Sequence, residues 1–239
     1  MISWLIKAVL FSQGYGFGSN SIKNEVMTAK KFVNGGCFFD VGCNKGVYAR
    51  ELLKVFDSQL QSFHCFEPSK KLVSEYLTFN DPRVRVNPAA LGARKSVGKL
   101  FKVRNQPGLN SLTKRRLDHF NLKMDEKETV NIVTLDDYAK SQKINRIDFI
   151  KLDVEGHELE VLKGGTKLFE KRAIQCIQFE FGGCNIDTRT YFQDFWYLLK
   201  DKIRYTIYRI TPFGAKKVNR YRENDEIFLT TNYIAVLDQ

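Results

Sequence analysis

The sequence predicts an α/β fold built on a mostly parallel sheet, and three stretches predict it. Gly35 to Gly46 reads Gly-Gly-Cys-Phe-Phe-Asp-Val-Gly-Cys-Asn-Lys-Gly, a short apolar run with β-favouring aromatics ended by glycine. Val47, Leu52, Leu53 and Phe56 then recur at helical spacing, so strand, glycine turn and helix follow in order. Ser62–Phe66 with Lys70–Phe79, and Ile147–Leu152 with the residues up to Gly164, repeat that alternation, as parallel strands joined by helices require. Ile227–Leu229 and Tyr233–Leu237 close the chain as strands without a following helix, the pattern of an antiparallel hairpin completing the sheet.

The remaining elements follow from local chemistry. Ile2–Phe11 is apolar apart from Lys7, is too short to cross a bilayer, and lacks the small-residue cleavage pattern of a signal peptide. It reads as a packed helix; the alternative is a membrane-surface helix anchored by Trp4 and Lys7. Glycine-rich residues 13–21 read as a loop, with Ser21 capping a helix to Val33. Residues 1–34 are thus expected to form a helical cap packed on a domain of residues 35–239. Pro68 stops the second strand and Ser69 caps the next helix. Val84–Val86 is a third strand running into Ala89 and Ala90, and Lys99–Val103 an added one before the loop Pro107–Ser111. Thr129–Leu135 alternates as a strand and Asp136–Lys140 reads as a short helix. Ala173–Phe181 is the next strand, Tyr191–Leu199 an amphipathic helix and Tyr205–Ile210 another strand.

At 239 residues, 43% hydrophobic and 27% charged, the chain suits one globular domain with a full core. Its formal charge of +11 is concentrated in two windows, 94–116 with eight Lys/Arg and no acid, and 200–222 with eight Lys/Arg against Asp201 alone. Such windows are either solvated faces or a rim for a phosphorylated, acidic or nucleic-acid partner. Cys37, Cys43, Cys65, Cys176 and Cys184 include no C-x-x-C pair, which argues against a disulfide framework or a zinc site and favours a reducing cytoplasm.

Polar residues at strand ends form the candidate site. Asp40 falls at the carboxyl edge of the first strand, where open α/β sheets bind ligands. Gly42-x-x-x-Gly46 lacks the middle glycine of a dinucleotide turn, having Asn44 there, which argues against nicotinamide. An acid followed by this turn suits a ligand ending in an ammonium and a carboxylate, and S-adenosylmethionine is one. Glu67, 21 residues after Gly46, is spaced to meet a ribose diol. The small Ala89 and Ala90 leave room for a flat ring, while Pro68, Ser111 and Asp153 complete the expected cofactor contacts. Asp153, Glu155 and His157 follow the 147–152 strand and Glu180 ends the 173–181 strand; these four are the candidate catalytic residues. Spacing by two would place Asp153, Glu155 and His157 on one strand face and invite a divalent metal, but Gly156 interrupts the strand, and no metal ligand is assigned.

Asp40-Val41-Gly42-Cys43-Asn44-Lys45-Gly46, Phe66-Glu67-Pro68, and Ile150-Lys151-Leu152-Asp153-Val154-Glu155-Gly156-His157-Glu158 with Leu162-Lys163-Gly164 resemble the FkbM family of S-adenosylmethionine-dependent O-methyltransferases. Thr231–Val236 is also similar to that family. The resemblance implies a Rossmann-like class I methyltransferase fold, with a seven-stranded mostly parallel sheet, an antiparallel C-terminal strand and helices on both faces. It implies a donor across the first strands, with Asp40 to Gly46 holding its methionine portion, Glu67 its ribose, and Ala89 and Ala90 its adenine side. Cys43 stands where alanine is usual. The acceptors implied are hydroxyls of sugars, glycans or related small molecules, and the basic windows suit one bearing phosphate or carboxylate, such as a nucleotide- or lipid-linked sugar. Asp153 or His157 would accept the proton, with Glu155 or Glu180 positioning. The rivals are an RNA methyltransferase using the basic windows and a non-catalytic binding module.

Overall fold

The computed structural model describes residues 2–17 and 22–238. In chain order its elements are α1 (Ile2–Ser12), α2 (Ile22–Ala29), β1 (Gly36–Val41), α3 (Val47–Phe56), β2 (Leu60–Phe66), α4 (Lys70–Tyr76), β3 (Val84–Asn87), β4 (Ala90–Leu91), β5 (Ser96–Lys102), β6 (Glu126–Val133), α5 (Leu135–Ser141), β7 (Phe149–Leu152), α6 (Glu158–Lys163), α7 (Thr166–Glu170), β8 (Cys176–Phe181), α8 (Cys184–Thr188), α9 (Phe192–Trp196), β9 (Tyr205–Thr211), β10 (Gly214–Lys217) and β11 (Thr231–Leu237). The main sheet runs β10-β9-β11-β8-β7-β1-β2-β3, and β4-β6-β5 forms a smaller second sheet. β8, β7, β1, β2 and β3 are parallel neighbours, whereas β11 is antiparallel to both β8 and β9.

β1 lies inside the sheet, between β7 and β2, where its apolar run suits burial on both faces. Successive side chains alternate. Phe38 packs with Phe56, Phe63 and Phe149 on one side, while Phe39, Phe66 and Ile150 join the core on the other. On that second side Phe179 stacks on Phe195 at 4.7 Å and Phe192 on Tyr233 at 4.5 Å, tying β8 and β11 to α9. The chain passes from β1 outward to β2 and β3, then returns to β7 on the other flank of β1. A crevice therefore opens at the carboxyl ends of β1 and β7.

The seven strands expected of the main sheet are joined by an eighth, β10, at its edge. β10, not Ile227–Leu229, makes the hairpin with β9, and β11 inserts between β8 and β9. The 227–229 segment is apolar because it packs as a loop: the Phe228 ring lies 5.2 Å from that of Phe181. Among the helices, α4 stops at Tyr76 rather than Phe79, and α2 at Ala29 rather than Val33. Ser21 lies outside the described residues, and Ser69 flanks α4 without a side-chain capping bond. α2 buries Val26 and Ala29 in the core beside α3, but the packing expected of the first helix is not found: Trp4, Leu5, Ile6 and Val9 of α1 are exposed. All five cysteines are buried, and none is paired in a disulfide.

The first basic window is partly neutralised, because antiparallel pairing brings the β6 acids beside β5 and the residues just after it. Lys102 meets Glu128 at 3.4 Å and Arg104 meets Glu126 at 3.3 Å. In the second window Lys216, Lys217, Arg220 and Arg222 remain exposed.

Candidate active site

The turn after β1 depends on backbone that only glycine adopts easily. Gly42 has φ +83°, and a Cβ there would lie 1.9 Å from the carbonyl oxygen of Asp153. This close approach brings the β1 and β7 loops together. The N–H groups of Gly42 and Cys43 both donate to the Phe66 carbonyl, at 2.9 and 3.0 Å. Asn44 N–H donates to Glu67 Oε2 at 3.0 Å and Ser69 N–H to Glu67 Oε1 at 2.9 Å. Glu67 is therefore a clasp between the β1 and β2 loops as well as a cavity wall. Burial pushes its carboxyl up to about 7, against the pull of those two N–H groups.

A cavity of about 340 Å³ opens here, the size of a small-ligand site. Asp40, Gly42, Asn44, Glu67, Pro68, Ala89, Ala90, Ser111, Asp153, Glu155 and Glu180 all line it. Pro107, Gly108, Asn110, Ser111 and Leu112, from the long segment between β5 and β6, also line it. Two of the expected residues do not join the lining. Gly46, at φ +70°, shapes the entry to α3 from behind the turn, and the His157 imidazole is engaged by the Thr113 hydroxyl at 2.8 Å. Gly156, at φ +101°, breaks the period-two alternation, so the metal-like spacing of Asp153, Glu155 and His157 is not realised. Asp153, Glu155 and Glu180 instead bring carboxylate oxygens within 4.8 Å of one another.

Charge in the cavity is uneven. Asp40 is fully buried, and neither of its carboxylate oxygens has a hydrogen-bond partner. Burial raises it to about 6, with Lys151 opposing the shift and Asp153 adding to it. The side-chain oxygens of Asn44 and Asn110, also on the lining, are likewise without a partner. Lys151 Nζ donates to Asp153 Oδ2 at 2.6 Å and sits 4.7 Å from the Tyr48 ring. Burial alone would depress this ammonium, but the carboxylates of Asp153, Asp40 and Glu25 carry it above its ordinary value. Glu155 pairs with the buried Arg115, and burial with the neighbouring Asp153 raises its carboxyl. Glu180 is raised by burial and by Asp153, Glu155 and Glu158. Glu158 faces away from the chemistry: its Oε1 accepts from Val154 N–H at 2.8 Å and Gly156 N–H at 3.3 Å, holding the loop that carries Asp153 and Glu155.

Sequence reasoning missed Glu25, Tyr48, Lys151 and Arg115. Glu25 reaches the cavity from α2, its Oε2 accepting from Gln178 Nε2 at 2.6 Å, and Gln178 Oε1 in turn accepts from Tyr48 Oη at 2.8 Å. Burial lifts Glu25 to about 7, with Lys151 pulling the other way. Lys151 did carry a signal, as a lone cation inside the apolar Phe-Ile-Lys-Leu strand. Such a residue survives burial only beside carboxylates.

No curated protein matches the chain. Among solved structures it is similar to the methyltransferase FkbM from Methylobacillus flagellatus KT, at 16% identity and a TM-score of 0.47 over 84% of this chain. It spans 44% of the length of that protein. The O-methyltransferase from Bacillus cereus, solved with S-adenosylhomocysteine, is 12% identical with a TM-score of 0.45, covering 98% of this chain and 88% of its own. TrmK of M. capricolum, in complex with the same product, is 10% identical with a TM-score of 0.42, covering 89% of this chain and 67% of its own. The model of the methyltransferase FkbM domain matches residues 40–206, from the carboxylate of β1 through the β7 loop into β9, and the chain belongs to the FkbM methyltransferase family.

Proposed function

We propose that the chain transfers a methyl group from S-adenosylmethionine to a hydroxyl of a sugar, glycan or related small molecule that carries phosphate or carboxylate. The observation that carries the reading is the set of unpartnered acceptors on one cavity: both oxygens of Asp40 with the side-chain oxygens of Asn44 and Asn110. Buried acceptors of this kind await donors, and an ammonium supplies three. These residues fit the amino-acid end of the donor, Glu67 its ribose, and Ala89 and Ala90 its base. When bound, the donor supplies an electrophilic methyl group on a sulfonium.

The chain's part is to hold the acceptor in line and to take its proton. Asp153 is the proton acceptor, fixed by the Lys151 ammonium and by its own N–H, which donates to the Val41 carbonyl at 3.0 Å. Glu155, held by its ion pair with Arg115, and Glu180 face the same cavity and position the acceptor's hydroxyl. Lys45, exposed at the lip of the cavity, meets the acceptor's anionic group. Asp153→Asn is expected to abolish turnover while changing the affinity for S-adenosylhomocysteine less than about threefold. Equal loss of both would make Asp153 a donor ligand. Lys151 and Arg115 already lie on the three-carboxylate cluster, so the reading needs no metal. Turnover is expected to survive a chelator, and its loss, restored by a divalent cation, would sink that statement. The acceptor is found by supplying isotope-labelled donor to cell extract: label in glycans or phosphorylated small molecules supports the reading, and label in RNA replaces it.

A further inference from the structure

We propose that α1 and the basic segment beside it dock this protein on an anionic membrane surface. Trp4 is 71% exposed, Leu5 53%, Ile6 54% and Val9 55%, an unusual density of bare apolar side chains on one 11-residue helix. No described helix is long and apolar enough to cross a membrane. The helix is nevertheless fixed to the body. Just after its end the Tyr15 hydroxyl donates to Asp225 Oδ1 at 2.9 Å, and the Arg209 guanidinium lies 4.0 Å from the Tyr15 ring.

That anchorage sets α1 along the second basic window. Ile6 and Leu10 share a cleft of about 800 Å³ with the exposed Lys216, Lys217, Arg220 and Arg222, and with the acids Glu223, Asp225 and Glu226. Phe213, 84% exposed at the tip of the β9–β10 hairpin, adds a further bare aromatic to this end of the sheet. Apolar side chains flanked by lysine and arginine are the combination that partitions into a headgroup layer of negative lipids. A second copy of the chain is a poorer occupant, because a symmetric contact would set these four cations against the same four. RNA is poorer too, since aliphatic Leu5, Ile6 and Val9 offer neither stacking nor hydrogen bonds to bases.

The test is flotation of the full chain with vesicles of phosphatidylcholine alone, or with about one third phosphatidylserine, enough to charge the surface. Partitioning at least about tenfold stronger onto the charged vesicles is expected, with a blue shift of Trp4 emission. Trp4→Gln/Leu5→Gln/Val9→Gln should abolish flotation, and Lys216→Glu and Lys217→Glu should each weaken it by about fivefold or more. S-adenosylhomocysteine binding should stay unchanged in every variant, which separates loss of docking from loss of fold. Three results would overturn the proposal: no flotation, equal flotation on both vesicles, or a dimer or an RNA complex that the apolar triple variant dissolves. None of these readouts uses methyl transfer, so the proposal stands or fails independently of the acceptor.

Discussion

Asp40 shows how a single residue is held for function at the expense of stability. It sits inside the protein with no hydrogen-bond partner, and its nearest compensation is the charge of Lys151 across the β1–β7 pairing. A buried carboxylate in that state costs free energy unless a ligand completes it. Asp40→Asn is therefore expected to leave the free protein as stable or more so, while weakening S-adenosylhomocysteine binding by about tenfold to a hundredfold, the loss of one charge-assisted contact. Thermal unfolding and calorimetry on the same variant check both halves. A variant that loses stability and keeps its affinity would mean that Asp40 serves Lys151 and not the ligand.

At the scale of elements, the joint between the β1 and β7 loops is the most sensitive point. Gly42→Ala would force a methyl into the Asp153 carbonyl at a left-handed backbone position, and is expected to cost about 3 kcal/mol or more, read as a lower urea midpoint. An unchanged midpoint would show the two loops to be free of each other. The same joint explains what the sequence discloses. β1, β2 and β7 are legible because a strand buried on both faces is a continuous apolar run closed by a turn, and Asp40, Glu67 and Asp153 are legible as the polar residues at those ends. β4 and β10 are not, since Ala-Leu and Gly-Ala-Lys-Lys contain no pattern; their neighbours in the sheets define them. Residues 227–229 mislead for the opposite reason, as an apolar loop is indistinguishable from a short strand until its packing is known. Glu25 is invisible from local sequence because its partner Gln178 lies 153 positions away.

The whole molecule concentrates these costs in one pH window. Burial raises Asp40 to about 6 and Glu25, Glu67 and Glu158 to about 7 each, above their ordinary carboxylate values. Between about pH 4 and 7 the folded chain thus holds more protons than the unfolded one, so these groups make stability fall as pH rises through that window. Donor binding has the opposite sign, because an ammonium is held by Asp40 only once that carboxyl has ionised. The net charge of +11 complicates the first trend, since acid adds positive charge to a molecule that already repels itself, and moderate salt screens that term. In about 0.3 M salt, where the screening length is near 5 to 6 Å, unfolding temperature is expected to drop from about pH 5.5 to 7.5 while affinity for S-adenosylhomocysteine rises by about fourfold. Asp40→Asn should flatten the affinity profile and reduce the slope of the stability profile. Affinity that falls over the same interval would show that the protonated, not the ionised, cavity receives the ligand, and would remove Asp40 as the ammonium's partner.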